Sequence, residues 1–170
     1  MLESMPSPVG HALGAIAAGW RAVPVQMQRA DSLRAAVIIG GLGVAPDLDL
    51  LFHDHRGPAH SVGAAMLVAV IVGLLARSWR WGLAAGLAWV SHVGLDWLGV
   101  DNAPPIGLMA LWPFSHDYYQ APIHVFPSVS RSFGLPEFWA RNAAALIVEL
   151  CVIGPFAAVA VATSRWRSSR

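Results

Sequence analysis

From Gly57 to Ala76 the chain runs for twenty residues with a single ionisable side chain, His60. A stretch that apolar suits either a bilayer or the core of a helical bundle. Similar stretches run from Leu33 to Ala45, from Trp81 to Val100 and from Phe138 to Thr163, and a shorter one, interrupted by His11, runs from Val9 to Trp20. Charged residues make up only 12% of the 170 positions, about half the roughly 25% of ordinary soluble domains. Mean hydropathy is +0.54. Eight Trp suit a membrane–water interface. The expected fold is therefore all-α, a membrane-embedded helical bundle of about five helices, some short, forming one domain over residues 1–170. Gly57 to Ala76, Trp81 to Val100 and Phe138 to Thr163 are the expected spans, the first two joined by the hairpin Arg77-Ser78-Trp79-Arg80. Val9 to Trp20 makes a helix of about 18 Å, too short to cross alone. Asp31 and Ser32 are candidate N-caps for Leu33 to Ala45, and Pro46 ends or bends that helix. A long irregular loop at 101–136, rich in Pro and aromatics, is too long for an idle connector and is expected to act as a lid or to contact substrate. Met1 to Pro8 holds no basic residue, so no secretory signal is expected. Cys151, the single cysteine, reads as a small core residue.

The polar residues are concentrated. Ala45 to Ser61 reads APDLDLLFHDHRGPAHS and holds three aspartates, three of the seven histidines and Arg56, with apolar sequence on both sides. Carboxylates and imidazoles crowded at the mouth of an apolar helix are costly unless compensated. A divalent metal compensates both types at once; a solvated surface loop is the plainer alternative. Further along, His92 and Asp96 stand four apart, on one face of a helix. Inside a membrane helix such a pair is a functional hypothesis by default, although a structural hydrogen bond also accounts for it. Glu149, in the last span, is expected to pair with an Arg or to be protonated, with a ligand role the less favoured reading. His53, Asp54, His116 and His124 have no role assigned, and His53 and Asp54 read as solvated loop residues.

The arginines add an orientation. All eleven basic residues are Arg. If the apolar segments alternate across a membrane, eight of them (Arg21, Arg29, Arg34, Arg77, Arg80, Arg165, Arg167 and Arg170) fall on one side. Positive charge marks the cytoplasmic face. The histidines then lie on or toward the outer face of the membrane. A net charge of +1 and the lack of a basic groove argue against a nucleic-acid partner.

His11, the PDLD of Pro46 to Asp49, the HRGPAHS of His55 to Ser61, the SHVGLD of Ser91 to Asp96 and the LWPFS of Leu111 to Ser115 stand in an order that resembles the YdjM-type family of inner-membrane metal-dependent hydrolases. That family is described as distantly similar to zinc-dependent phospholipase C. The resemblance covers about the first 120 residues. It implies Asp47, His60, His92 and Asp96 as core ligands and His11 as ligand to a second metal beside Asp96. Asp49 and His55 match family positions and are candidate catalytic residues. Arg56 is a third, as a planar clamp for phosphate, or else the structural partner of Asp49 or Asp54. The chain departs from the family pattern at Gly10 and Ala59, each where Thr is frequent, and at His116 and Asp117, where basic residues are frequent. Too few later His and Glu remain for a third metal, so two ions are expected, Zn by the mixed N and O ligands and Mn as the alternative. The implied reaction is attack of a metal-activated water on a phosphate ester of a lipid or amphiphilic substrate. A transporter that moves the metal, and a non-catalytic membrane protein with a structural metal, remain as alternatives.

Overall fold

The computed structural model describes residues 6–52, 56–102, 104–130 and 132–168. Among these the chain forms six α-helices: α1 (Pro8–Gly19), α2 (Val25–Ala30), α3 (Ser32–Val44), α4 (Val62–Leu75), α5 (Trp79–Trp97) and α6 (Phe138–Ser168). Four of them start at a side-chain cap. Ser7, Asp31, Ser61 and Ser78 accept from the backbone N–H groups of Gly10, Arg34, Ala64 and Trp81, relieving donors that a first helical turn leaves unpaired. The all-α expectation holds. So does the irregular stretch between α5 and α6, which among its described residues carries two isolated bridges and no strand, Gly99 with Phe126 and Leu108 with Tyr119.

The span expected from Gly57 to Ala76 is corrected. Pro58–His60 forms a separate 3-10 turn, and the Ser61 hydroxyl accepts the Ala64 N–H at 2.9 Å to start α4 afresh. The 14 residues of α4 reach only about 21 Å, short of a hydrocarbon core of about 30 Å. Sequence hydropathy misses this because the break lies in backbone geometry, where a proline and a capping serine interrupt an unbroken apolar run. Among the described residues only α6, over Phe138–Ser164, is both long and apolar enough to cross a membrane.

α1 is the central helix, packed against α3, α5 and α6. Small residues let the backbones meet, as at membrane helix interfaces. A Cβ on Gly19 would lie 2.8 Å from the carbonyl oxygen of Ala84. The core at this end is built from Ala15, Trp20, Val23, Ala35, Ile39, Ala84 and Ala88, with Ala160 of α6. α4 and α5 form a tight hairpin through Gly82, where a Cβ would sit 2.5 Å from the carbonyl oxygen of Ala69. Overpacking against backbone costs about 1–3 kcal/mol, so Gly82→Leu should lower the thermal unfolding midpoint clearly. Gly41→Ala is the control, because nothing lies within 4 Å of the position a Cβ would take there; its midpoint should stay level or rise.

The outer surface is apolar. Leu33 and Val37 on α3, Leu67, Val70 and Leu74 on α4, and Ile147, Phe156 and Val159 on α6 are all exposed. So many large apolar side chains exposed on three helices suit contact with lipid. Cys151 belongs to this exterior: it is exposed on α6, which corrects its reading as a core residue. In lipid, an apolar neighbourhood in sequence carries no information about which way a side chain faces.

Candidate metal centre

The end of the bundle away from the Trp20 core gathers the polar residues. His11 comes from the first turns of α1, and His92 and Asp96 share one face of α5. Asp47 and Asp49 come from the 3-10 segment Ala45–Phe52, and His60 from the turn before α4. His11, His60, His92 and Asp96 are buried, and Asp47 is partly so. One ligand atom from each of Asp47, His60, His92 and Asp96 lies within 4.8 Å of the other three, so the four could hold a metal ion.

The spacing tests that idea. Asp47 Oδ1 lies 3.6 Å from His60 Nε2 and 3.7 Å from His92 Nε2. Asp96 Oδ2 lies 3.4 Å from His60 Nε2 and 3.1 Å from His92 Nε2. Ligands bonded at about 2.0–2.1 Å to a tetrahedral ion are separated by roughly 3.3 Å along each edge. These four His–Asp separations bracket that figure, and the remaining two pairs lie within 4.8 Å. They exceed the usual hydrogen-bond length of about 2.9 Å, and His92 Nε2, Asp47 Oδ1 and both Asp96 carboxylate oxygens are buried without a directed hydrogen bond. Such buried polar atoms are costly unless something else compensates them. The donor set fits a divalent cation.

The far sides of the two rings are also fixed. His60 Nδ1 lies 3.0 Å from Asp49 Oδ2, and His92 Nδ1 is 2.7 Å from the carbonyl oxygen of Gly43. Outer carboxylates and carbonyls of this kind set the tautomer of a ligating histidine and aim its other nitrogen inward. Asp49 therefore sits behind His60, and its second neighbour is the backbone N–H of Arg56, which donates to Oδ2 at 3.1 Å. His11 stacks on His92 with ring centroids 3.9 Å apart, and its Nε2 is 3.2 Å from Asp96 Oδ1. Asp96 thus faces His11 with one oxygen and the four-residue group with the other. His11 stands beside that group rather than in it.

Arg56 is placed by an unusual backbone. It adopts φ 66°, a left-handed conformation that costs a non-glycine residue, and its carbonyl accepts from Met109 N–H at 3.0 Å. Its guanidinium forms an ion pair with Asp101, a partner that the sequence reading did not consider. Asp101 also accepts the Gly107 N–H at 2.7 Å. Gly107 has φ 94°, and a Cβ there would be 2.6 Å from the Tyr119 carbonyl oxygen, so this turn requires glycine. The pair ties the long loop to the metal-bearing segment. His55, with His53 and Asp54, lies outside the described residues. His116 is exposed, and His124 Nδ1 lies 3.1 Å from the Gly99 carbonyl oxygen; neither joins the centre.

Glu149 is fully buried on α6. Its partner is Ser7: the backbone N–H donates to Oε1 at 2.6 Å, and the Ser7 hydroxyl donates to Oε2. The carboxylate sits at the N-terminus of α1, where the helix dipole favours negative charge. It couples α6 to the turn that carries His11. The expected Arg is not the partner found here: Ser7, 142 positions away, is.

The family profile described as YdjM inner membrane protein matches residues 5–167. The chain belongs to this family. Its YdjM membership agrees with the apolar exterior and with the candidate span in α6, and it assigns the chain to the inner membrane. No curated protein and no solved structure matches the chain.

The arginine-bearing segments meet at the other end of this YdjM protein. Arg80 donates to the carbonyl oxygens of Arg21 and Val23 at 3.3 and 3.2 Å. The Trp20 indole N–H donates to Ser164 at 2.8 Å, holding the end of α6 to the same place.

Burial works against charge on His60, but the carboxylates of Asp47 and Asp49 outweigh it, and its pKa is raised to about 9. Burial also works against the Asp47 carboxylate, yet the neighbouring imidazoles hold its pKa below the usual value. The sign follows. In the metal-free protein, protonated His60 stabilises the fold fully below its unfolded pKa of about 6.5, and that contribution is lost as pH rises through about 9. A cation needs the neutral ring. Metal uptake at pH 7 should therefore release about one proton from His60, and affinity should rise about tenfold per pH unit up to pH ~9. Titration calorimetry in buffers of different ionisation heat reads this directly; uptake with no proton release would contradict it.

Proposed function

We propose that the chain is a membrane-bound metal-dependent hydrolase that cleaves a phosphate ester of a lipid or amphiphilic molecule. The observation that carries the reading is the four-residue group: Nε2 of His60 and His92 and one oxygen each of Asp47 and Asp96, at the spacing of ligands around a divalent ion. Zn fits the mixed N and O donors best, with Mn as the alternative. Such an ion supplies a bound water of lowered pKa and a Lewis acid for the phosphoryl oxygens. The chain's own part is to aim the rings. Asp49 holds His60, and the Gly43 carbonyl holds His92. Asp96 Oδ1 and His11 Nε2 provide the place for a second ion. Arg56 is committed to Asp101 and serves here to hold the loop rather than to clamp phosphate.

Asp47 is the least buried of the four group members, and although its Oδ1 is buried, we assign the open side of the centre to this residue. A catalytic site needs such an open position. The arginine-bearing turns lie at the opposite end of the bundle, and positive charge favours the cytoplasm; we therefore orient the centre outward, with several helices in the membrane. A second reading, a closed structural metal, draws support from the count of four protein ligands.

One experiment separates them. The full chain, purified into lipid nanodiscs with Zn or Mn, is given bis(p-nitrophenyl) phosphate and then a long-chain alkyl p-nitrophenyl phosphate. Hydrolysis that chelation abolishes and metal restores is expected. Stoichiometric metal with no hydrolysis of either ester would contradict the enzyme and favour the structural ion. Asp49→Ala should lower metal affinity by about 10–100-fold, read by competition with a chromogenic chelator.

A further inference from the structure

A cleft of about 690 Å³ opens between the start of α1, the segment after α3 and the start of α6. This volume lies within the range of about 300–1,000 Å³ typical of small-molecule sites. Val9, Val44, Leu50, Phe138 and Leu146 are among its apolar lining residues, and Asp47 is its one ionisable group. The cleft therefore has an apolar body and a single charged wall, and that wall belongs to the metal group. Its far wall is fixed. Asn142 of α6 accepts from Ser130 N–H at 2.7 Å and donates to the Ser130 carbonyl oxygen at 3.0 Å. This reciprocal pair pins Ser130 to the helix. Ser7, which caps α1 and meets Glu149, lies on the same lining.

We infer that this cleft is the chain-binding subsite of the enzyme, taking the single hydrocarbon chain nearest the phosphate of an amphiphilic phosphate ester, with the phosphate at the Asp47 end. The inference rests on the hydrolase reading, and it adds which part of the molecule recognises the substrate and in which direction it lies. Three observations carry it. The cleft shares Asp47 with the candidate centre. Apart from that carboxylate and Ser7, Ser130 and Asn142, which already bond within the protein, its lining is apolar, so it suits a hydrocarbon chain better than a sugar or a nucleotide, whose desolvation would go largely unrepaid. Val9 and Leu50 are exposed, so the apolar lining continues onto the outside of the bundle, where a lipid chain has a route from the bilayer without crossing water.

The test separates chain binding from catalysis. The full chain in nanodiscs is irradiated with a hexadecyl phosphate carrying a mid-chain diazirine, and labelled peptides are mapped by mass spectrometry. Labelling should concentrate on the peptides containing Val9, Leu50 and Leu146. Excess hexadecyl phosphate should compete it away, and inorganic phosphate should not. Leu146→Trp should reduce cleft labelling about tenfold, which corresponds to about 1.4 kcal/mol of binding. Val9→Trp fills the same space from the opposite wall and guards against misfolding of the first variant. Leu67→Trp, on the outer face of α4, should leave cleft labelling unchanged. Labelling spread evenly over α4 and α6, indifferent to both cleft variants, would overturn the inference. Cleft labelling without hydrolysis of any ester would sustain the subsite and sink the hydrolase reading. Hydrolysis of bis(p-nitrophenyl) phosphate without cleft labelling would do the reverse.

Discussion

Asp96→Ala should empty the metal centre. The protein as purified with added Zn should carry at least one ion per chain, and the variant should retain less than about a tenth of that. Asp96 is the residue on which the cluster converges: Oδ2 faces His60 and His92, and Oδ1 faces His11. Removing it deletes one ligand of the four and cuts the link to His11. It also leaves the buried imidazoles of His11 and His92 without their nearest carboxylate. The prediction is read by elemental analysis after gel filtration, with helicity by circular dichroism as the check on folding. A closed structural ion would lose the metal and the fold together. A functional centre should lose the metal with helicity retained, because the Trp20 core and the arginine-bearing turns lie at the other end of the bundle. Metal content unchanged in this variant would remove Asp96 from the site.

Gly43→Val is the second large effect. A Cβ at position 43 would lie 2.4 Å from the Ala15 side chain and 2.8 Å from the His11 carbonyl oxygen. Neither contact is tolerable, and the second is to backbone that cannot swing aside. α1 and α3 must separate, at a cost of about 3 kcal/mol. The same residue's carbonyl oxygen holds His92 Nδ1 at 2.7 Å, so the separation turns the ring. The expected outcome combines a large drop in unfolding midpoint with loss of metal at concentrations that saturate the parent. Gly41→Ala, two residues earlier with open space around it, should show neither. A variant at 43 that keeps full stability and full metal content would show that α1 and α3 do not pack as described.

These two residues also mark what a reader of the sequence can and cannot see. His92 and Asp96 were legible because helical spacing puts i and i+4 on one face. Asp47 and His60 were legible through their crowding in an apolar setting, and His11 through the family resemblance. Gly43 was not, because its contribution is a backbone carbonyl and a missing side chain, and neither leaves a ligand-like signature. The small-residue spacing of Gly10 and Gly14 was a usable signal for the close approach of α1, although it would not have named His92 as the beneficiary. The sequence marks Asp49 as a candidate for chemistry, yet its place is behind His60. The pairing of Arg56 with Asp101, and of Ser7 with Glu149, spans 45 and 142 positions. Such pairings follow from how the loop and α6 fold back, and local patterns say nothing of them. The bundle's class came from hydropathy. The length of α4 did not, since hydropathy is blind to the turn at Pro58–His60 that takes part of the apolar run out of the helix.

X-ray absorption at the metal edge of the Zn-loaded full chain tests the central claim most directly. The expected spectrum shows a first shell of N and O at about 2.0–2.1 Å with the multiple scattering of at least two imidazoles, one of which disappears in His60→Ala. A first shell without imidazole, or a spectrum that His60→Ala leaves unchanged, would contradict it.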